Sequence, residues 1–157
     1  AEDGRVGSAQ GKRHARPSGF KLRCGGLEAS AFPSLEQVAM VLTACRDADI
    51  PVKFTAGLHH PFRHSDASLN TSMHGFLNIF AAGVLAHAHR LDEGVLVRIL
   101  ADGAAEHFTF EDEGMAWMDV RASIPEIEAA RRSAVISFGS CSFDEPRDEL
   151  RAMHLLD

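Results

Sequence analysis

The chain has no tyrosine and only three cysteines, Cys24, Cys45 and Cys141, with no CxxC pair among them. An odd, scattered set of thiols excludes a disulfide framework and fits a reducing compartment, so a cytoplasmic location is expected. No apolar run approaches the roughly 20 residues that span a bilayer. The first residues also lack an apolar signal-peptide core, so no membrane partner is implied. Positive charge is in deficit, with 16 Lys and Arg against 22 Asp and Glu and a formal net charge of −6. Broad nucleic-acid binding needs the opposite balance over much of a face, so no nucleic acid is expected as a partner. An initiator Met is missing as well, since residue 1 is Ala. With no strands ahead of the first apolar segment, the expectation is a fragment of a longer protein.

What is present fits one globular domain: 157 residues, 45% hydrophobic and 24% charged. Residues 1–18 carry no apolar periodicity and read as a disordered tail or linker ahead of a domain at 19–157. The basic run Lys12, Arg13, His14 and Arg16 in that tail is either a solvated stretch or a short RNA contact.

The stretch PVKFTAGLHHPFRH, residues 51–64, organises the rest. Val52, Phe54 and Ala56 alternate with Lys53 and Thr55, which predicts a strand over 51–56 that stops at Gly57. Residues 19–24 repeat the design, with Phe20, Leu22 and Cys24 on one side and Lys21 and Arg23 on the other, stopped by Gly25-Gly26. Between them, Ser34 with Gln37 forms a capping box that opens a helix over 34–48. Its stripe is Leu35, Val38, Ala39, Leu42 and Cys45. Strand, helix, strand at this spacing is a βαβ unit with parallel strands.

A polar loop is expected over 57–70, then a helix over 72–90 capped by Thr71 or Ser72, and another over 92–102 capped by Asp92. Residues 107–120 suggest a small β-hairpin insertion. Ser123 with Glu126 opens a helix to about 132, residues 134–140 read as a third core strand, and a last helix covers 145–155. In that third strand Ile136 and Phe138 are expected on one side, with Ser137 and Gly139 on the other. A flat doubly wound sheet buries both faces of its strands. One face here carries lysine, as the mouth of a barrel tolerates. The fold expected is therefore α/β: the C-terminal portion of a (β/α)8 TIM-type barrel with a small hairpin insertion. A partial barrel would leave strand edges open, and such edges favour a homo-oligomer.

Lys21 and Lys53 occupy equivalent places in the two strands. A lysine in a dry pocket beside another cation can be a neutral amine that attacks a carbonyl and forms a Schiff base. Such a pair equally suits an anion site, with Arg23 holding phosphate or carboxylate, or structural ion pairs with carboxylates. His59, His60, His64 and His74 crowd the following loop. They suit substrate or acid–base contacts, loop-structuring hydrogen bonds, or a transition metal. Adjacent His59 and His60 point apart on extended backbone, so no metal ligands and no cofactor are assigned. His87 and His89 are expected to face solvent. His74 and Asn78 lie at a helix start, where either anion binding or close packing at Gly75 accounts for them. Gly139 and Ser140 end the last strand in a setting that exposes backbone N–H groups to phosphate. Cys141 beside them is a nucleophile or an inert thiol, with no histidine placed by sequence to decide it.

The runs KLRCGG, KFTAGLHHP, MHGFLN and SFGSCSFDEP, from about residue 19 to the end, resemble an uncharacterised bacterial family of aldolase-type (β/α) barrels whose members are longer than this chain. More remotely, the arrangement is similar to the deoxyribose-phosphate aldolase group of class I aldolases. That resemblance implies a Schiff-base lysine at Lys21, a second lysine at Lys53 and a phosphate-binding Gly-Ser segment at Gly139-Ser140. Arg23-Cys24 stands where that group has small hydroxyl residues.

The function expected is a lyase of aldolase type acting on a small, carbonyl- or phosphate-bearing metabolite. Lys21, Lys53 and His60 would be catalytic. Arg23, Gly25, Gly26, Thr55, His59, Arg63, His74, Asn78, Gly139 and Ser140 would bind substrate or phosphate. Two alternatives stand beside it: a metal-dependent hydrolase using the histidines of 59–74, and a non-catalytic barrel remnant that binds a phosphorylated metabolite.

Overall fold

A computed structural model describes residues 18–156. Strand β1 (Phe20–Arg23) is followed by helix α1 (Leu35–Asp47) and strand β2 (Val52–Thr55). The capping box at Ser34 forms as the sequence predicts: Gln37 N–H donates to Ser34 Oγ at 3.2 Å and Ser34 N–H to Gln37 Oε1 at 2.8 Å. Two of the helix-start donors are thereby satisfied. The stripe Val38, Ala39, Leu42 and Cys45 is buried. β1 and β2 pair in parallel, and β8 (Val135–Gly139) joins the other side of β2, giving a three-stranded sheet of order β1-β2-β8.

Two short antiparallel sheets interrupt the chain between β2 and β8. β3 (His64–Asp66) pairs with β4 (Thr71–Met73). After helices α2 (Phe76–His89) and α3 (Glu93–Ala101), the strands β5 (Phe108–Glu111), β6 (Gly114–Trp117) and β7 (Val120–Ser123) form a meander. Helix α4 (Ile124–Ser133) leads into β8, and α5 (Asp144–Ala152) closes the described chain.

This architecture corrects the barrel. Among the described residues there are three parallel strands, two separate antiparallel sheets and five α-helices, with no closed ring and no repeating βα pattern. Closure demands a continuous circuit of tilted strands. Here two antiparallel excursions and three helices separate β2 from β8, and the lysine-bearing face of the sheet opens to solvent. Three local expectations change too. The 57–70 loop contains β3 and the turn to β4, where Asp66 Oδ1 accepts from Ser68 N–H at 2.8 Å and Leu69 N–H at 3.2 Å. Because Thr71 and Ser72 are used by β4, α2 starts later, with Gly75 as N-cap. The expected hairpin is a three-stranded sheet.

Helix α2 is the centre of the core. Phe76, Ile79, Ala82, Val84 and Leu85 are all buried, and α1, α3 and α4 pack around it. Its sheet side meets β8: Phe138 stacks on Phe76 at 5.1 Å between centroids, and Val135 sits against Gly83. Phe54, fully buried, contributes about 2–3 kcal/mol through its burial.

A Cβ placed on Gly83 would lie 2.3 Å from Val135 Cγ1. Helix propensity alone favours Ala over Gly by about 1 kcal/mol, but Val135 is β-branched, buried and unable to retreat. Gly83→Ala should therefore destabilise by about 1–3 kcal/mol. Adding Val135→Ala should recover part of that loss, as a double-mutant cycle in urea would read. A stabilised Gly83→Ala would contradict this packing.

Candidate functional site

Alternation on β2 turns Val52 and Phe54 inward and leaves Lys53 and Thr55 on the opposite face. The parallel register sets Lys21 beside Lys53 and Arg23 beside Thr55. On the other flank Lys53 pairs with Ser137 and Thr55 with Gly139. Two rows therefore cross the open face, Lys21-Lys53-Ser137 and, nearer the strand ends, Arg23-Thr55-Gly139. Lys21 and Lys53 are both exposed, so residues 18–156 do not enclose them in the dry pocket expected from sequence. Among those residues neither amine has a carboxylate at ion-pair distance, so the structural ion pair also finds no partner there. Gly139 keeps the surface low: a Cβ there would meet Thr55 Oγ1 at 3.5 Å and Lys53 Cε at 4.0 Å. Arg23 turns away from the amines, its Nε–H donating to Gly25 O at 2.8 Å.

The glycines at the strand exits serve close approach. A Cβ on Gly25 would lie 2.7 Å from Gly57 Cα, so the loops leaving β1 and β2 cross backbone against backbone. Gly57 also has φ 70, in the left-handed region where glycine is unstrained. Gly26 is pressed equally hard, with Ala31 Cβ 2.7 Å from where its own Cβ would be.

Beyond the crossing, buried Leu58 and Phe62 anchor the loop and turn His59 and His60 towards α5. His59 Nδ1 lies 2.7 Å from Glu145 Oε2, and His60 Nδ1 lies 3.3 Å from Glu149 Oε1. Glu145 and Glu149 are one helical turn apart, which puts both on one face of α5. His59 also reaches Ser140 Oγ at 3.1 Å and Cys141 Sγ at 3.5 Å. His60 packs edge-on against His64, centroids 4.0 Å apart. A cavity of about 570 Å³ opens here, lined by His59, His60, Asp66, Met73, Cys141, Glu145, Asp148 and Glu149 among others. A second cavity of about 640 Å³, largely apolar, lies on the other side of Ser140 between Phe76, Phe138, Phe143 and Leu150.

The other predicted site residues are occupied elsewhere. His74 is 1% exposed and its Nε2–H donates to Pro33 O at 2.7 Å, leaving Nδ1 to accept from Arg63 Nη1 at 3.4 Å. Asn78 is fully buried: its Nδ2 donates to Ile99 O and Asp102 O at 2.8 and 2.7 Å, and its Oδ1 accepts from Arg63 N–H. Asn78 thus ties the histidine loop to the end of α3. The start of α2 is closed to an anion, because Phe76 N–H and Leu77 N–H donate to the carbonyls of His60 and Pro61. His87 is half-buried, and exposed His89 meets the Arg121 carbonyl at 2.5 Å. His60 and His64 are in contact while His74 is buried elsewhere, and among the described residues no group of three or more His, Cys, Asp or Glu is arranged to hold a metal ion.

Sequence reasoning gave no site role to Ser137, Glu145 or Glu149. The spacing of the two glutamates was visible, but the histidines they face become neighbours only through the β2–β8 pairing. Burial separates the thiols: it pushes Cys24 up to about 12 and raises Cys45, while Cys141 is exposed. No helix of the described residues is long and apolar enough to cross a membrane.

Burial also pulls His74 and His64 below the usual imidazole value of 6.5. The unfolded chain therefore binds more protons than the folded one just below that value. Stability from these groups is complete above it and lost as pH falls through it towards the folded values. Urea midpoints should drop between about pH 7.5 and about pH 5.5. The drop should be smaller in His74→Gln, whose amide can still donate to Pro33 O. Equal losses in the two proteins would show that His74 does not set this dependence.

Compared with protein-family models, with curated proteins and with solved structures, the chain finds no match in any of the three.

Proposed function

We propose that the open face of β1-β2-β8 binds a small metabolite carrying a phosphate or carboxylate and a carbonyl, and that its lysines support lyase-type chemistry. The observation behind this reading is the parallel, in-register pairing of Lys21 with Lys53, neither of them matched by a described carboxylate. Lysine is scarce here: the chain has three, and two of them stand side by side. Two amines this close gain from a bound anion, which offsets their mutual repulsion. The hydroxyls of Thr55 and Ser137 add donors in the same two rows, and Gly139 leaves room above the sheet.

In the reaction the Lys21 nitrogen attacks the carbonyl carbon, and loss of water gives an imine. The protonated imine draws in the electrons of the bond between the α and β carbons as water takes the proton of a β-hydroxyl; an aldehyde departs, and the enamine left on Lys21 regains a proton at its α carbon. Water releases the product and restores the amine. Lys53 holds the anionic end of the metabolite.

Incubation with a simple phosphorylated aldehyde, such as glycolaldehyde phosphate, and then borohydride should leave a stable adduct on Lys21, located by peptide mass spectrometry. Lys21→Met should abolish it. Lys53→Met should weaken trapping at low aldehyde by about tenfold, the loss of one charge-assisted anion contact. Inorganic phosphate should compete. Adducts spread evenly over all three lysines and the chain's amino terminus would sink the imine, and absence of phosphate competition would sink the anion site.

A further inference from the structure

We infer that Cys141, His59 and Glu145 form a nucleophile–base–orienter triad, a second catalytic site that performs thiol-based acyl transfer on esters or amides carrying a cationic group. This site does not depend on the lysines. Its parts are brought together by the sheet: His59 lies in the loop after β2, Cys141 in the exit of β8, and Glu145 in the first turn of α5.

The geometry fixes each role. A carboxylate can only accept, so at 2.7 Å from Glu145 Oε2 the Nδ1 of His59 carries the hydrogen. In the neutral ring that leaves Nε2 as the acceptor, 3.5 Å from Cys141 Sγ and in position to take the thiol proton. Ser140 Oγ, 3.1 Å from Nδ1, accepts from the Ser142 N–H and steadies the same edge of the ring. Glu145 is a positioning residue, because it acts on the sulfur only through His59. The imidazole is mostly covered, its side chain 19% exposed, while Cys141 is exposed and borders the cavity of about 570 Å³. A reagent can therefore reach the sulfur while the base stays shielded. Cys24 and Cys45 are buried and cannot compete.

The chemistry closes without any further reagent but water. Nε2 takes the thiol proton as sulfur bonds to the acyl carbon. The tetrahedral adduct collapses, the leaving oxygen or nitrogen departs with the proton from Nε2, and an S-acyl Cys141 remains. Water then adds to the thioester carbon while Nε2 accepts its proton. The carbon–sulfur bond breaks and that proton returns to sulfur, releasing the acid. The lining sets the substrate class: among the described residues it includes Asp66, Glu145, Asp148 and Glu149 but no lysine or arginine. Asp148 is shared with Arg147 at 3.3 Å and Arg151 at 3.9 Å, and Glu149 lies 3.3 Å from His60. The carboxylate excess favours a substrate with an ammonium or guanidinium near its acyl group.

The full chain, treated with p-nitrophenyl acetate and quenched in acid, should carry one acetyl group, on Cys141. Acylation should outpace that of free cysteine at the same pH by at least about tenfold. Acetylthiocholine, a cationic ester, should be turned over in preference to an anionic ester of matched leaving group. His59→Gln should slow acylation by about 100-fold. Glu145→Gln should slow it by about tenfold while Glu145→Asp restores most of the rate, a rescue that a purely structural carboxylate need not show. The comparison with free cysteine uses the unaltered protein and needs no variant to fold. A Cys141 that reacts no faster than free cysteine, or a rate indifferent to His59→Gln, would overturn the assignment. Faster acylation with no preference for the cationic ester would overturn the substrate class.

Discussion

The structure depends on a sheet that the described residues cover on one side only. Phe54 and Val52 must face the hydrophobic core, because each loses about 1.5–3 kcal/mol if turned to water. That demand fixes Lys53 on the opposite face, and parallel pairing then fixes Lys21 beside it. The β8 side needs an adjustment. Register shifts between Val52 and Lys53, so that Val52 pairs with Val135 but Lys53 pairs with Ser137. Without the extra residue, Ile136 would stand beside Lys53 and Ser137 beside buried Phe54. The bulge instead leaves Ile136 38% exposed, keeps Val135 and Phe138 both on α2, and places Ser137 and Gly139 on the open face. One irregularity thus keeps a hydroxyl out of the core and adds it to the polar rows.

The strand exits carry that arrangement outward. Gly25 and Gly57 let the β1 and β2 loops touch, and Leu58 and Phe62 pin the β2 loop while its histidines turn to α5. Asn78 holds the same loop from behind through the Arg63 N–H. The result is two neighbouring environments of opposite sign. The sheet face offers amines and hydroxyls, and the cavity under α5 offers carboxylates and imidazoles. An anionic ligand and a cationic one would each be favoured on one side and repelled on the other.

Much of this was legible in the residues, and the exceptions have physical causes. The capping boxes at Ser34 and Ser123, the cap at Asp92 and the parallel β1–β2 pair follow from local chemistry and alternation. The barrel did not follow, because lysines on one face of a strand indicate only that this face is not packed in oil. A barrel mouth and an open sheet satisfy that condition equally. The bulge at Ile136 was hidden because alternation alone makes Ile136 and Phe138 same-sided. β3 was hidden because His64, Ser65 and Asp66 have no apolar member to betray a strand. His74 and Asn78 looked like ligand residues because polar side chains at a helix start have two uses, and burial, which sequence does not print, decides between them.

The hardest feature to read was the contact between His59 and Cys141, which lie 82 residues apart. Nothing local links them. They meet because β2 and β8 are neighbours and each ends in a short exit on the same edge, so whatever follows the two strands must converge. The same adjacency places Ser137 beside Lys53. The polar rows and the histidine–thiol contact are therefore not independent accidents of side-chain placement. Sliding β8 by one residue against β2 would drive Ser137 into the core and swing Phe138 out, and it would also carry Cys141 about 3.3 Å along the strand axis, beyond reach of the imidazole. The hydrophobic demand of Val135 and Phe138 against α2 is what holds both in place.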